Sequence, residues 1–158
     1  MKINDELNKV AQRLQKNIND IPSKFLSFSE EELRKKPAPD KWSKKEILGH
    51  LIDSAANNHH RFVKAQIEED PIKIISYHQN GWVKVQHYNE EDTESLTGLW
   101  KNYNQHILNI ILNFDENRLE TNWLMEDNEA SGETILFLIK DYVDHMDHHL
   151  GQIFSYRI

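Results

Sequence analysis

Residues 141–154 read DYVDHMDHHLGQIF and place His145, His148 and His149 within five positions. A neutral imidazole carries a lone pair at physiological pH, which makes histidine the commonest metal ligand. His145 and His149 are four positions apart, so on a helix they stand one turn apart and can converge on one ion, as an H-x3-H pair does. Taking Met146 as the centre of the apolar stripe, His149 falls roughly 60° and His145 roughly 100° to the same side, whereas His148 falls roughly 160° away. His148 therefore reads as a solvent-facing bystander. Two histidines alone are better read as a solvated helix border, and a third ligand changes that reading.

The third ligand must come from another element. His50 flanks the apolar positions Ile47 and Leu51, with Asp53 one turn away on its outer side, and it is the best candidate. His106 flanks a different stripe, His59 and His60 point away from theirs, and His78 and His87 fall in a long connector. Asp53, Asn57 and Arg61 continue one polar seam. That seam suits contacts to a substrate or thiol, but it reads equally as a solvated border, and for Arg61 the border is the better description. Asp53 and Gln152 are placed to orient a histidine or to take a proton. For Gln152 the competing reading is a surface amide near a helix end.

Four helical patterns carry these residues. Ile3, Leu7, Val10, Leu14 and Ile18 mark the first, which Pro22 is expected to end. Ser29 and Glu32 form a capping box for a short helix, and KKPAPDKW stops it. Ser43 and Glu46 cap the second long helix, with Trp42 and Ile47 as its hydrophobic staple. Its face is Ile47, Leu51, Ser54, Ala55, Asn58 and Phe62, and it runs to about Glu68. Residues 69–92 show no sustained period; Gly81 marks a turn there, and Trp82, Val83 and Tyr88 are expected anchors. Leu96, Leu99, Trp100, Tyr103, Ile107, Ile110, Ile111 and Phe114 define the third helix. Residues 115–132, with Trp123, read as irregular, and whether Trp82, Trp123 and Tyr88 line a pocket or fill core stays open. The fourth helix starts near Ser131, with the stripe Ile135, Ile139, Tyr142, Val143, Met146, Leu150 and Ile153. The expected fold is an all-α four-helix bundle with a long crossover between the second and third helices, as a single domain over residues 1–158.

Composition narrows the chemistry. The chain of 158 residues has no cysteine, so thiolate ligands and a cysteine nucleophile are excluded. A net charge of -7 argues against a nucleic-acid partner. The charged N-terminus MKINDELNKV shows no signal peptide, and no apolar run reaches the roughly 18 residues of a membrane span. A cytoplasmic protein is the expectation.

The segments KWSKKEILGHLIDSAANNHHRF (41–62), HQNGWVKVQHY in the connector and DYVDHMDHHLGQI (141–153) resemble the DinB-like superfamily, which includes YfiT-type metal-dependent hydrolases and bacillithiol transferases. The resemblance implies a four-helix bundle, often dimeric, with one divalent metal held by His50, His145 and His149. Three neutral imidazoles leave such an ion an open position, which suggests chemistry rather than structure. Zinc or nickel fits best, with iron or manganese as alternatives. An external low-molecular-weight thiol would ionise there and attack an electrophilic substrate. This thiol S-transfer is the leading expectation. Hydrolysis by a water activated to a pKa near roughly 7 is the first alternative, and a metal-binding stress protein without turnover is the second.

Overall fold

The computed structural model describes residues 3–126 and 133–155, with side chains from Asp5 onward in the first segment. Helix α1 (Ile3–Leu26) buries Leu7, Val10, Leu14 and Ile18, as their spacing requires; the side chain of Ile3 lies outside the described residues. Pro22 does not end the helix. The chain stays helical to Leu26 because Ile21 and Phe25 extend the same stripe into the core. Burying two such side chains is worth about 1.5–3 kcal/mol each, enough to offset the roughly 3 kcal/mol a mid-helix proline costs.

Both expected capping boxes are present. Ser29 opens the short α2 (Glu30–Arg34) and Ser43 opens α3 (Lys44–Ile67), each with its glutamate bonded back to the cap N–H. Trp42 and Ile47 pack at the α3 entrance. Helix α3 ends at Ile67, with Glu68 as its C-cap.

The strand β1 (Ile72–Ile74) and helix α4 (Gln79–Gln86) follow, then a 3-10 turn over Tyr88–Glu90. The connector thus holds regular structure that the sequence pattern does not show, since each piece is too short to establish a period. Gly81 sits in the first turn of α4, where its N–H donates to His78 Nδ1 (2.9 Å). Helix α5 (Thr93–Leu112) is capped by Asp92 and buries Leu96, Trp100, Ile107 and Ile111. Leu99 departs from the expected stripe and is half exposed, and Tyr103 and Ile110 are only partly buried. Beyond a 3-10 turn at Glu116–Arg118 lies β2 (Trp123–Met125). Helix α6 (Ile135–Ser155) starts later than expected: Glu133 and Thr134 stand outside it, the Thr134 hydroxyl accepts from Phe137 N–H (3.2 Å), and Ser131 lies outside the described residues.

Contacts along the helices set their directions. Thr93 at the start of α5 hydrogen-bonds Glu30, which pairs with the buried Lys45 at the start of α3 (3.2 Å). His59 meets Tyr103 (3.1 Å), and Gln66 near the end of α3 accepts from Asp115 N–H just past α5 (3.1 Å). So α3 and α5 run parallel, and residues 68–92 must travel back along a whole helix. The connections leaving α3 and α5 therefore emerge at the same end, where β1 and β2 pair in parallel, Ile72 opposite Trp123 and Ile74 opposite Met125. Helix α6 runs antiparallel to α3, with Lys44 near Ile153, His50 against His145 and Phe62 against Tyr142. Helix α1 runs parallel to α6, with Glu6 near Lys140 and Arg13 near Asp144. Four long helices thus enclose a core centred on Trp100, Phe62, Leu14 and Ile139. Among the described residues no helix is long and apolar enough to cross a membrane.

Candidate metal centre

The antiparallel packing of α3 on α6 brings His50, His145 and His149 together, with one ring nitrogen from each lying within 4.8 Å of the others. His50 Nε2 is 3.1 Å from His145 Nε2, and the three ring centroids are 4.5–5.0 Å apart. His50 is fully buried, and the other two are half-buried. The orientations of the His50 and His149 rings have physical causes. Trp42, positioned by the α3 cap, lies 4.7 Å from the His50 ring and 6.2 Å from that of His149. The Gln152 carbonyl oxygen sits 2.8 Å from His149 Nδ1. An amide oxygen only accepts, so Nδ1 carries the proton and Nε2 keeps its lone pair. The Gln152 amide nitrogen in turn faces His148 Nε2 at 3.3 Å. His148 is exposed, as its helix angle suggests, and meets the centre through this amide.

Burial and the neighbouring rings keep the cluster uncharged. Desolvation, then repulsion from His149 and His145, lowers the His50 pKa to about 3. Desolvation, then His149 and His148, lowers that of His145 to about 4. His149 is lowered as well, again mainly by burial. Three neutral imidazoles stay available at neutral pH.

The donor set fits a divalent ion. Two imidazole nitrogens each about 2.0–2.1 Å from one ion stand at most about 4 Å apart; the His50–His145 pair at 3.1 Å satisfies this, and the three nitrogens together lie within 4.8 Å. His50 Nδ1 is buried without a hydrogen-bond partner among the described residues. Its orientation comes from packing, and its chemistry is left to Nε2. Truncating the amide should loosen this arrangement. Gln152→Ala is expected to weaken zinc affinity about 10–100-fold in a competition titration, leaving the helical circular-dichroism signal unchanged.

The other expected site residues are placed differently. Asp53 is buried and does not bond to a histidine: its Oδ1 accepts from Tyr88 OH (2.6 Å) and Gln86 Nε2 (2.7 Å). Burial raises its pKa, with those two hydrogen bonds opposing the rise. Its Oδ1 thereby ties the connector to α3, and its Oδ2 is buried without a hydrogen-bond partner among the described residues. Asn57 donates to the Asp53 backbone carbonyl (2.9 Å). Arg61 donates to the Ile75 carbonyl (3.0 Å), and its guanidinium is half-buried. Sequence reasoning missed a second grouping, in which the His59 ring lies 5.0 Å from that of His106, beside Tyr103. Its helices run parallel, and only the direction of α5 reveals the match.

Two cavities reach the cluster. The larger, about 800 Å³, meets it at His149 and Gln152 and is walled by Trp42, Ile47 and Pro37. The smaller, about 150 Å³, meets it at His145 and is polar, with Arg61, Asp141, Tyr77 and Asn58 in its lining. Of the three anchoring aromatics, Tyr88 is core, Trp123 is half-buried against it and Trp82 is partly exposed beside Tyr77 (5.1 Å); none of the three lines either cavity.

The sequence profile of the DinB superfamily matches residues 6–153. No curated protein matches the chain. Among solved structures, the chain is similar to YfiT from Bacillus subtilis, described as a probable metal-dependent hydrolase with an unusual four-helix bundle topology. The two share 19% identity and superpose with a TM-score of 0.83 over 94% of this chain and 84% of that one.

Proposed function

The chain belongs to the DinB superfamily, and from that membership and the three-histidine cluster we propose that it is a divalent-metal-dependent enzyme transferring a low-molecular-weight thiol to an electrophilic substrate. The observation carrying this reading is that two separate cavities reach one cluster, at His149 and at His145. Two such approaches suit a reaction that brings two substrates to one centre. A divalent ion held by the three imidazoles would supply a positive charge that favours ionisation of a thiol at its open position. His50, His145 and His149 hold that ion without neutralising it, because none of the three carries negative charge. Gln152 keeps His149 in the ligating tautomer. Trp42 shields the His50 side from water and gives the larger cavity an apolar wall suited to an electrophile's carbon skeleton. The chain has no cysteine, so the thiol must come from outside.

Hydrolysis is the second reading, favoured by the description of YfiT as a probable metal-dependent hydrolase. The same cluster would then activate water, and the larger cavity would take the ester or amide. Mass spectrometry separates the two. Zinc-loaded protein is incubated with an epoxide or chlorinated aromatic electrophile, with and without glutathione or bacillithiol. The expected result is a thioether product that forms only with thiol present, at a rate above the uncatalysed one. Product formed equally well without thiol would favour the hydrolase and reject the transferase.

A further inference from the structure

The smaller cavity holds a cation and an anion that do not meet. Arg61 of α3 and Asp141 of α6 both line it, and each feels the other's charge. Among the described residues no ion pair joins them. The Arg61 guanidinium is held in place by its bond to the Ile75 carbonyl, which leaves most of its five N–H donors uncommitted. Two opposite charges facing one small space without closing on each other are matched by a ligand carrying both signs. His145 lies in the same lining, so the pocket ends at the metal centre.

We propose that this pocket binds the zwitterionic head group of an α-amino acid, with the carboxylate on Arg61, the ammonium on Asp141 and the side chain directed at His145. The pocket is small, about 150 Å³, and ends at His145, so a compact head group held on Arg61 and Asp141 would direct its side chain, and the sulfur of a cysteine-type thiol, towards the cluster. A planar guanidinium suits a carboxylate because it offers two parallel N–H donors. The inference deepens the thiol reading above and rests on it for the identity of the sulfur, although the head-group contacts stand apart from any turnover.

The test uses thioethers, which lack an ionisable thiol and do not strip zinc. Zinc-loaded protein is titrated calorimetrically with S-methyl-L-cysteine, S-methylcysteamine, which lacks the carboxylate, and 3-(methylthio)propionate, which lacks the ammonium. The amino acid is expected to bind about tenfold or more tightly than either truncated probe. Arg61→Gln should reduce its affinity to that of S-methylcysteamine and leave S-methylcysteamine itself unchanged, which shows that the pocket is still folded. Asp141→Asn should reduce it to that of 3-(methylthio)propionate. Equal binding of all three probes, or an Arg61→Gln variant that keeps full affinity for S-methyl-L-cysteine, overturns the proposal. Failure of the thiol reading shows elsewhere, as thiol-independent product in the turnover assay, and does not move these affinities.

Discussion

Replacing His145 and His149 together by alanine is expected to abolish tight zinc binding while leaving the fold in place. Structural zinc sites with four ligands bind with about 10–16 kcal/mol, which is about 2.5–4 kcal/mol per ligand. Losing two ligands therefore costs about 5–8 kcal/mol, on the order of 10⁴–10⁶-fold in affinity, and the zinc retained after loading should fall from near one equivalent to near none. Turnover of any substrate should drop to the uncatalysed rate. The helical signal should persist, because Met146, Leu150 and Ile153, not the histidines, fill the α6 side of the core. Elemental analysis and circular dichroism read the two outcomes independently. A variant that keeps its zinc would place the metal elsewhere. A wild-type protein that unfolds when zinc is chelated would mark the site as structural, since binding energy would then be folding energy.

The same variant has an acid signature. In the folded metal-free protein the pKa values of His50 and His145 are lowered to about 3 and about 4, whereas in the unfolded chain they return to about 6.5. The unfolded state then binds protons that the folded state refuses, so stability declines as pH falls below about 6.5. Alanine at positions 145 and 149 removes part of that liability. Between pH 7 and pH 5 the metal-free wild type should lose more of its urea midpoint than the metal-free double variant, and an equal loss in both would contradict the burial argument.

Much of this centre is legible in the sequence because its causes are local. A helix turns by a fixed angle, so the four-residue spacing of His145 and His149 already sets their rings on one edge, and the Ser43–Glu46 box sets where His50 falls on α3. The bundle follows from four stripes whose positions are almost all buried where the spacing places them. What stays hidden is decided by contacts between distant segments. Asp53 looks like a partner for His50 because the two are three positions apart, but Tyr88 and Gln86 from the returning connector take it. Lys45 is fully buried beside Glu30, and nothing in its neighbourhood announces that. β1 has three residues and acquires meaning only when β2 arrives from 51 positions later. Pro22 shows the converse error, in which a strong local signal yields to the burial of Ile21 and Phe25.

Gly49→Ala is expected to be the most destabilising small substitution in α3, although alanine is the better helix former by about 1 kcal/mol. The reason is Tyr88. A β-carbon at position 49 would stand 2.1–2.4 Å from three atoms of its ring, far inside van der Waals contact. The ring is buried and cannot swing aside without leaving the core. Its displacement forfeits roughly 1.5–3 kcal/mol of apolar burial and breaks the hydroxyl bond to the buried Asp53 carboxylate, which adds about 1–3 kcal/mol. Together these outweigh the gain in helix propensity and leave a net loss of about 1.5–5 kcal/mol. At about 2–4 °C per kcal/mol for a chain of this length, the melting temperature should fall by about 3–20 °C. The cause can be isolated by a double-mutant cycle. Tyr88→Ala removes the ring, so Gly49→Ala added to it should cost nothing further and can recover the propensity gain. If the two substitutions instead add, the glycine serves some other contact. Because Tyr88 anchors the segment that returns along α3, the same variant should also speed amide exchange in residues 68–92 before it affects α1 or α6, a pattern that global weakening would not produce.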